Sequence, residues 1–337
     1  MNNDQLQAIC TYLNFGRPIS LPSKVQGGLL HSMWRIDTEK GSYAIKQLSK
    51  NINLTAKIRK EYELSERIAQ QFGLHGIPSI SGIEKEGKFL VNSGDNTFII
   101  YPWINAKILG KGEVKIFHVI KIGTLLAKMH LLNLSVPEIA SPQYDINSNE
   151  EIIDLIEKSI EMSLPFANQL KQSQSMLIKL NNKYQQAIAF FKNTSVISHA
   201  DLDQKNVLWD KNDNPILVDW ESVRALNPTY EILIAALDWS GATTGELNTE
   251  LFVSMINAYK KAGGLIDQVT LNKNFYGIPG NGINWMIYNI RRSLKTESTN
   301  PEEKELGIEQ VNQVIKSMTY LESKIETLKV LIRTLDA

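Results

Sequence analysis

Apolar and polar residues alternate through much of the first hundred positions, then recur every three or four residues through most of the remainder. The first pattern is that of strands and the second that of helices. "MWRIDTEKGSYAIKQL" reads as two short strands about a Lys40-Gly41 turn, and "GKFLVNSGDNTFIIYPW" as another pair. Between them "NLTAKIRKEYELSERIAQQFG" sets Leu54, Ile58, Leu64 and Ile68 at near-helical spacing, with Gly73 as its expected C-cap.

Beyond Asn105 helices dominate. "FHVIKIGTLLAKMHLLNL" (117–134) is apolar around most of its circumference, which suits a buried helix. Val311, Val314, Met318, Leu321, Ile325, Leu328, Ile332 and Leu335 continue the helical spacing, as core helices of a bundle rather than a dimeric coiled coil. The exception is "NVLWDKNDNPILVD" (206–219), two apolar runs around a turn-rich tetrapeptide, which reads as a hairpin. No repeat or low-complexity linker is visible. The expected organisation is therefore two compactly joined domains, residues 1–103 and 104–337.

Composition narrows the function classes. Lysines and arginines (36) balance aspartates and glutamates (36), so the basic footprint of a nucleic-acid binder is missing at whole-chain level. Cys10 is the only cysteine, which excludes an intrachain disulfide and a multi-cysteine zinc site and suits an inert thiol in a reducing compartment. The N-terminus lacks the basic-then-apolar pattern of a secretory signal, and no window approaches the roughly 18–20 apolar residues of a membrane span. The expectation is a cytoplasmic protein, monomer or homodimer, with a small-molecule partner and neither nucleic acid nor membrane.

The hairpin carries the candidate chemistry. If Asp210 faces Pro215, then Asn206 faces Asp219 at the open end, and an amide and a carboxylate meet there. Oxygen donors so placed suit Mg2+, a hard cation that takes one or two carboxylates and completes its octahedron with water and phosphate. Asp201 lies on the loop that feeds the first strand.

The spacing His199-x-Asp201-x4-Asn206, with Asp219 after a hairpin, resembles the catalytic and metal-binding segments of the protein-kinase-like fold. "VISHADLDQKNVLWD" followed by "ILVDWE" is more similar to the aminoglycoside phosphotransferase and choline kinase superfamily than to a protein kinase. There is no HRD triplet, no DFG, and no room for an activation segment before "NPTYEILIAALDW". The resemblance implies an α+β bilobal fold, with a small β-rich N-lobe carrying one main helix and a larger, mostly helical C-lobe. It also implies a kinase that moves the γ-phosphoryl of ATP, or of GTP, to a hydroxyl of a small molecule.

On that resemblance Asp201 is the base for the acceptor hydroxyl, and Asn206 and Asp219 hold Mg2+ on the phosphates. Lys46, ending "SYAIK", meets the α- and β-phosphates. Glu61 is its ion-pair partner, with Glu63 and Glu66 as competitors. Gly27 and Gly28 form the phosphate flap, where missing side chains let backbone amides approach. "FIIYPWINAK" holds the adenine hinge, with Tyr101 as gatekeeper, Pro102 offering a carbonyl and Ile104 an N–H. Glu221 either assists the metal through water or is structural. His199 props the loop, and Asp203 either caps it or reaches a cationic substrate. Ala200 stands where the superfamily often has Gly, and Glu231 where an Asp commonly follows the Pro.

The acceptor is less determined. "NWMIYNIRRSL" brings Trp285, Tyr288, Asn289 and Arg292 near one helical face, either as acceptor contacts or as core. Asp145, Glu150, Glu151, Asp154 and Glu157 either attract a polyamine or form a solvated helix face. The preferred acceptor is aminoglycoside-like, the alternative a metabolite such as choline, ethanolamine, homoserine or a sugar alcohol. A catalytically silent nucleotide-binding scaffold is the competing class, against which the joint presence of Lys46, Asp201, Asn206 and Asp219 argues.

Overall fold

The computed structural model describes residues 1–25, 31–49, 52, 54–110, 112–139, 141–294 and 301–335. Two compact units divide the chain: Met1–Leu109 with Lys205–Val223, and Gly110–Gln204 with Arg224–Ala337. This differs from a single cut after residue 103, because the segment 205–223 packs with the N-terminal part.

The first unit opens with helix α1 (Asn3–Leu13), where the Asn2 side chain accepts from the Gln5 N–H and the Gln5 side chain returns the bond. Strands β1 (Ser23–Val25), β2 (Ser32–Thr38) and β3 (Gly41–Gln47), helix α2 (Ala56–Leu74), then β4 (Leu90–Ser93) and β5 (Asn96–Pro102) follow. The strands form one antiparallel sheet in the order β1-β2-β3-β5-β4. Thr38 pairs with Gly41, so Glu39 and Lys40 make the turn, one residue earlier than the sequence suggests. The sheet is covered on both faces, which is why β5 is apolar without alternation. Ile36, Ile45, Phe98 and Ile100 pack with Leu6, Ile9 and Cys10 of α1. Ile99 packs on the opposite face with Leu48, Tyr62 and Leu90. Lys46 pairs with Ile99 across β3 and β5 and follows Ile45, so strand alternation puts its side chain on the α2 face. Helix α2 runs through Gly73 to Leu74, and the left-handed residue after it is Gly76 (φ 81°).

The second unit contains α3 (Ile116–Leu132), α4 (Asn149–Glu161), α5 (Ala167–Gln172), α6 (Gln174–Phe191) and strand β6 (Val196–Ser198). The chain then supplies the hairpin β7 (Val207–Trp209) and β8 (Pro215–Leu217) to the first unit, and returns as β9 (Arg224–Leu226), antiparallel to β6. Helices α7 (Pro228–Trp239), α8 (Thr249–Lys261), α9 (Leu271–Ser293) and α10 (Pro301–Thr334) complete it. Asn227 caps α7 through the Tyr230 N–H, and Pro228 occupies its first turn. One core of this unit joins Ile283, Met286, Ile287 and Ile290 of α9 to Val311, Val314, Ile315 and Met318 of α10, with Ile156 and Leu177 from α4 and α6. The C-terminal periodicity is thus spent inside the bundle. Among the described residues no helix is long and apolar enough to cross a membrane.

Candidate active site

The hairpin β7–β8 is held inside the first unit by Leu217, whose N–H donates to Pro78 O (2.7 Å), and by Trp209, bonded through its backbone to Lys107. Its register pairs Val207 with Leu217 and Trp209 with Pro215. Asp210 therefore meets Asn214, and Asn206 accepts from the Val218 N–H at 3.0 Å. That is one residue off the expected pairing of Asn206 with Asp219. A one-residue slip would send the Asp219 side chain to the other face. Asp219, however, has left-handed backbone (φ 63°, ψ 67°), which ends the strand and re-aims the carboxylate. Trp220, almost wholly buried, fixes the next position by stacking on Phe72 of α2 at 5.1 Å.

The re-aimed carboxylate meets Lys46. Lys46 Nζ lies 2.9 Å from Asp219 Oδ1 and also donates to Glu221 Oε1. Burial alone would depress the lysine, but the two carboxylates outweigh it and raise its pKa. Burial likewise opposes ionisation of Glu221, yet Lys46 and the hydrogen bond from His31 hold its carboxyl down to about 2. His31 Nε2 is 3.1 Å from Glu221 Oε2 and 3.2 Å from the Tyr62 hydroxyl, and its Nδ1 accepts from the Ser49 N–H at 3.1 Å. The expected ion pair between Lys46 and Glu61 does not form. Glu61 sits on the exposed side of α2 beside Lys57, while Glu63 accepts from the Phe89 and Leu90 N–H groups. Glu66 is buried against the Gly82 N–H and the Tyr101 hydroxyl (2.6 Å each); desolvation pushes it up to about 7.

In the second unit β6 leads into the loop that carries Asp201. Ala200 has φ 64°, and its N–H donates to Glu231 Oε1 at 2.8 Å. The Leu202 carbonyl accepts from Trp239 Nε1 (2.9 Å), and the Gln204 N–H donates to Asp238 Oδ2 (3.3 Å). Helix α7 thus holds this loop at alternate residues, with Asp201 and Asp203, both half-buried, in between. Glu231 is itself buried and bonded to His130 Nε2 (2.7 Å), whose Nδ1 meets the Tyr259 hydroxyl at 2.8 Å. Burial disfavours the Glu231 carboxylate, but the bonds from His130 and Ala200 bring its pKa below the usual value. His199 is wholly buried.

The profile of the phosphotransferase enzyme family matches residues 23–263, a span that contains both arrangements. The chain belongs to that family. As a phosphotransferase it is similar in fold to several solved structures. A spectinomycin phosphotransferase in complex with ADP and spectinomycin is 16% identical with a TM-score of 0.70, covering 96% of this chain and 99% of that one. For a choline kinase from Streptococcus pneumoniae the identity is 14%, the TM-score 0.60, and the coverage 94% of this chain and 99% of that chain. An ethanolamine kinase from Plasmodium vivax is 15% identical at a TM-score of 0.59, with 93% and 89% covered. These likenesses establish the protein-kinase-like fold, the α+β class read from the sequence.

The remaining expected residues of this phosphotransferase fall into three groups. Gly27 and Gly28 lie outside the described residues. Tyr101, Pro102 and Ile104 run off the end of β5, with the Tyr101 hydroxyl committed to Glu66, Pro102 exposed and Ile104 half-buried. On α9, beyond the family profile, Asn289 and Arg292 are buried, the first donating to the Trp285 carbonyl and the second ion-paired with Glu303. Both are buried in the core, contrary to the open acceptor face expected, and Arg292 is turned toward Glu303 of α10. Trp285, 37% exposed, stacks on Tyr288 at 5.4 Å and remains open to solvent. His31, His130, Asp238, Trp239 and Tyr259 went unnoticed in the sequence, and Glu221 was not paired with Lys46. An acid and an indole N–H donor closing the apolar α7, Asp238 and Trp239, are the available signal.

The donor set at the hairpin is made of oxygens only: the Asn206 amide, nearly buried, and the Asp219 carboxylate, whose side chain is 43% exposed. Among the described residues no group of three or more His, Cys, Asp or Glu is arranged to hold a metal. Two oxygen donors fit a hard divalent cation that brings phosphate oxygens with it.

Proposed function

We propose that this phosphotransferase moves the γ-phosphoryl of ATP, with GTP as the alternative donor, to a hydroxyl of a small molecule. The observation that carries the reading is the ion pair of Lys46 with Asp219, which joins at 2.9 Å a strand lysine and a hairpin aspartate far apart in sequence. Lys46 is the phosphate contact. Asn206 and Asp219 would hold Mg2+, which would neutralise charge on the phosphate oxygens. The Asp201 carboxylate orients the acceptor hydroxyl and takes its proton as the oxygen attacks the γ-phosphorus in line. The bond to the bridging oxygen breaks, and the nucleoside diphosphate leaves. A positioned base contributes about 10²- to 10⁴-fold. Tyr101, Pro102 and Ile104 are assigned to the adenine, Gly27 and Gly28 to the phosphates, and Asp203 with Trp285 and Tyr288 to the acceptor.

For the acceptor we favour an aminoglycoside-like compound. Of the three structures named above, the spectinomycin phosphotransferase has the largest TM-score, 0.70. Asp145, Glu150 and Glu157 are exposed acids available to a cation, whereas Glu151 is ion-paired with Arg291 and Asp154 with Lys158. The choline and ethanolamine kinases keep amino-alcohols in view. Mass spectrometry of aminoglycosides, amino-alcohols, sugars and hydroxy amino acids after incubation with the protein, ATP or GTP and Mg2+ tests both. One compound heavier by a phosphoryl group names the acceptor class. Failure to bind either nucleotide would overturn the reading.

A further inference from the structure

We propose that Glu221, held by His31, is the residue that positions Lys46, in the role the sequence assigned to a glutamate of α2. The inference rests on Lys46 being the phosphate contact. Lys46 is buried, with its side chain 7% exposed, so its ammonium needs fixed carboxylates to stay charged and aimed. Helix α2 does not supply an ion pair. Glu61 is with Lys57, Glu63 with the Phe89 and Leu90 amides, and Glu66 with Gly82 and Tyr101. Tyr62, on the helix face turned toward the sheet, meets His31 instead.

The two carboxylates that do bind Lys46 are not equivalent. Asp219 is bonded through one oxygen and its side chain is 43% exposed, so it can exchange the lysine for another cation. Glu221 is 22% exposed and engaged at both oxygens, by Lys46 at Oε1 and by His31 at Oε2. His31 is a rigid post, because its Nδ1 accepts from the Ser49 N–H, which leaves the ring proton on Nε2 to donate to Glu221. A chain therefore runs from the backbone at Ser49 through His31 and Glu221 to Lys46. When Asp219 turns to a metal, Glu221 keeps the lysine in place. Glu221 and His31 are positioning residues: they act on phosphate through Lys46, and Glu221 is not a metal ligand.

The experiment is calorimetric titration of the full chain with ADP, in Mg2+ and in EDTA. Wild-type protein that binds no ADP in Mg2+ would sink the nucleotide-binding reading itself; the comparison of variants is made on a protein that binds. Glu221→Gln should weaken ADP about tenfold in both conditions, and should add little in a Lys46→Met background. An effect confined to Mg2+ and undiminished by Lys46→Met would make Glu221 a metal ligand and overturn the inference. Should Glu221→Gln fail to fold, the His31 variants decide. His31→Gln places an amide N–H near the Nε2 position and should retain most of the affinity, while His31→Asn cannot reach Glu221 and should lose about as much as Glu221→Gln. Equal affinities for wild type, His31→Gln and His31→Asn, with unchanged melting temperatures, would also overturn it.

Discussion

The two arrangements that carry the proposed chemistry are held in opposite ways. The loop of Asp201 is fastened by α7 through bonds to backbone atoms: Glu231 at the Ala200 N–H, Trp239 at the Leu202 carbonyl, Asp238 at the Gln204 N–H. Asp219 is fastened through its reactive group, by an ion pair to Lys46. The first arrangement needs no ligand to be complete. The second satisfies its charges with each other, and on the proposed reading it would exchange partners to admit phosphate and metal. A base gains from being preorganised, whereas a ligand clamp must open and close its contacts.

Removing the chemistry while keeping the scaffold is the sharpest way to test this contrast. Asp201→Asn should lower kcat by about 10²- to 10⁴-fold while nucleotide affinity and melting temperature stay as they were, since the loop is held through its neighbours. Unchanged turnover would take Asp201 out of the mechanism. Asp219→Ala should behave differently, weakening Mg-nucleotide binding itself; equal affinity for Mg-ADP would refute the assignment of the hairpin donors.

Glu231→Ala attacks the fastening rather than the chemistry. It leaves the Ala200 N–H and His130 without their buried acceptor, and hydrogen bonds to charged groups are worth about 1.5–3 kcal/mol each. A stability loss of roughly 3 kcal/mol in denaturant titration is expected, together with a fall in kcat. A loss of activity without any loss of stability would mean that Glu231 acts on the acceptor directly.

The first unit carries two carboxylates, Glu221 part-buried and Glu66 buried, that answer to pH with opposite sign. Glu221, held down to about 2, stabilises the fold above about pH 4.5, and that contribution is lost as pH falls through 2. Glu66, pushed up to about 7, keeps its proton in the folded state after the unfolded chain has lost its own. Its contribution is therefore zero below about pH 4.5 and grows into a cost of about 3 kcal/mol by pH 7. Glu66→Gln, which still offers an acceptor to Gly82 or Tyr101, should flatten stability between pH 4.5 and 7. Parallel pH profiles for variant and wild type would show that Glu66 ionises normally.

How much of this was legible in the sequence follows from the range of each interaction. Alternation and helical spacing are local, so four of the sheet's five strands, α2, α3, α7 and the C-terminal bundle were readable, as was the hairpin with its two polar ends; β1, three residues long, and α1 were not. The register slipped by one because the KNDN turn does not reveal which of its flanking residues closes it, and the left-handed turn at Asp219 has no local sequence signature. The partner of Lys46 was misread for a different reason. Three glutamates on one helix are taken up by different neighbours, two of them outside it: Glu63 by the Leu90 amide of β4, Glu66 by Gly82, and Glu61 by Lys57 of the same helix. The carboxylate that won is 175 positions away in the chain. Asn289 and Arg292 show the converse, polar residues on an amphipathic helix whose burial depends on where α10 lies.

The smallest expected effect bears on the strain in the Asp201 loop. Ala200 is left-handed at φ 64°, a conformation that costs an L-residue about 1–2 kcal/mol. Ala200→Gly removes that cost, but a glycine adds unfolded-state entropy worth about 0.4–1 kcal/mol. The lost methyl also packs, partly buried, against the cluster of Tyr184, Phe191 and Tyr230, where full burial of one such group is worth about 0.8 kcal/mol. The terms nearly cancel, so denaturant titration should find Ala200→Gly within about 0.5 kcal/mol of wild type. Ala200→Val tests the same backbone from the other side, because a β-branched residue is a genuine outlier there. It should destabilise by about 2 kcal/mol or more. If valine were as stable as alanine, the loop would have another conformation, and Glu231 would not be what holds the residue before Asp201.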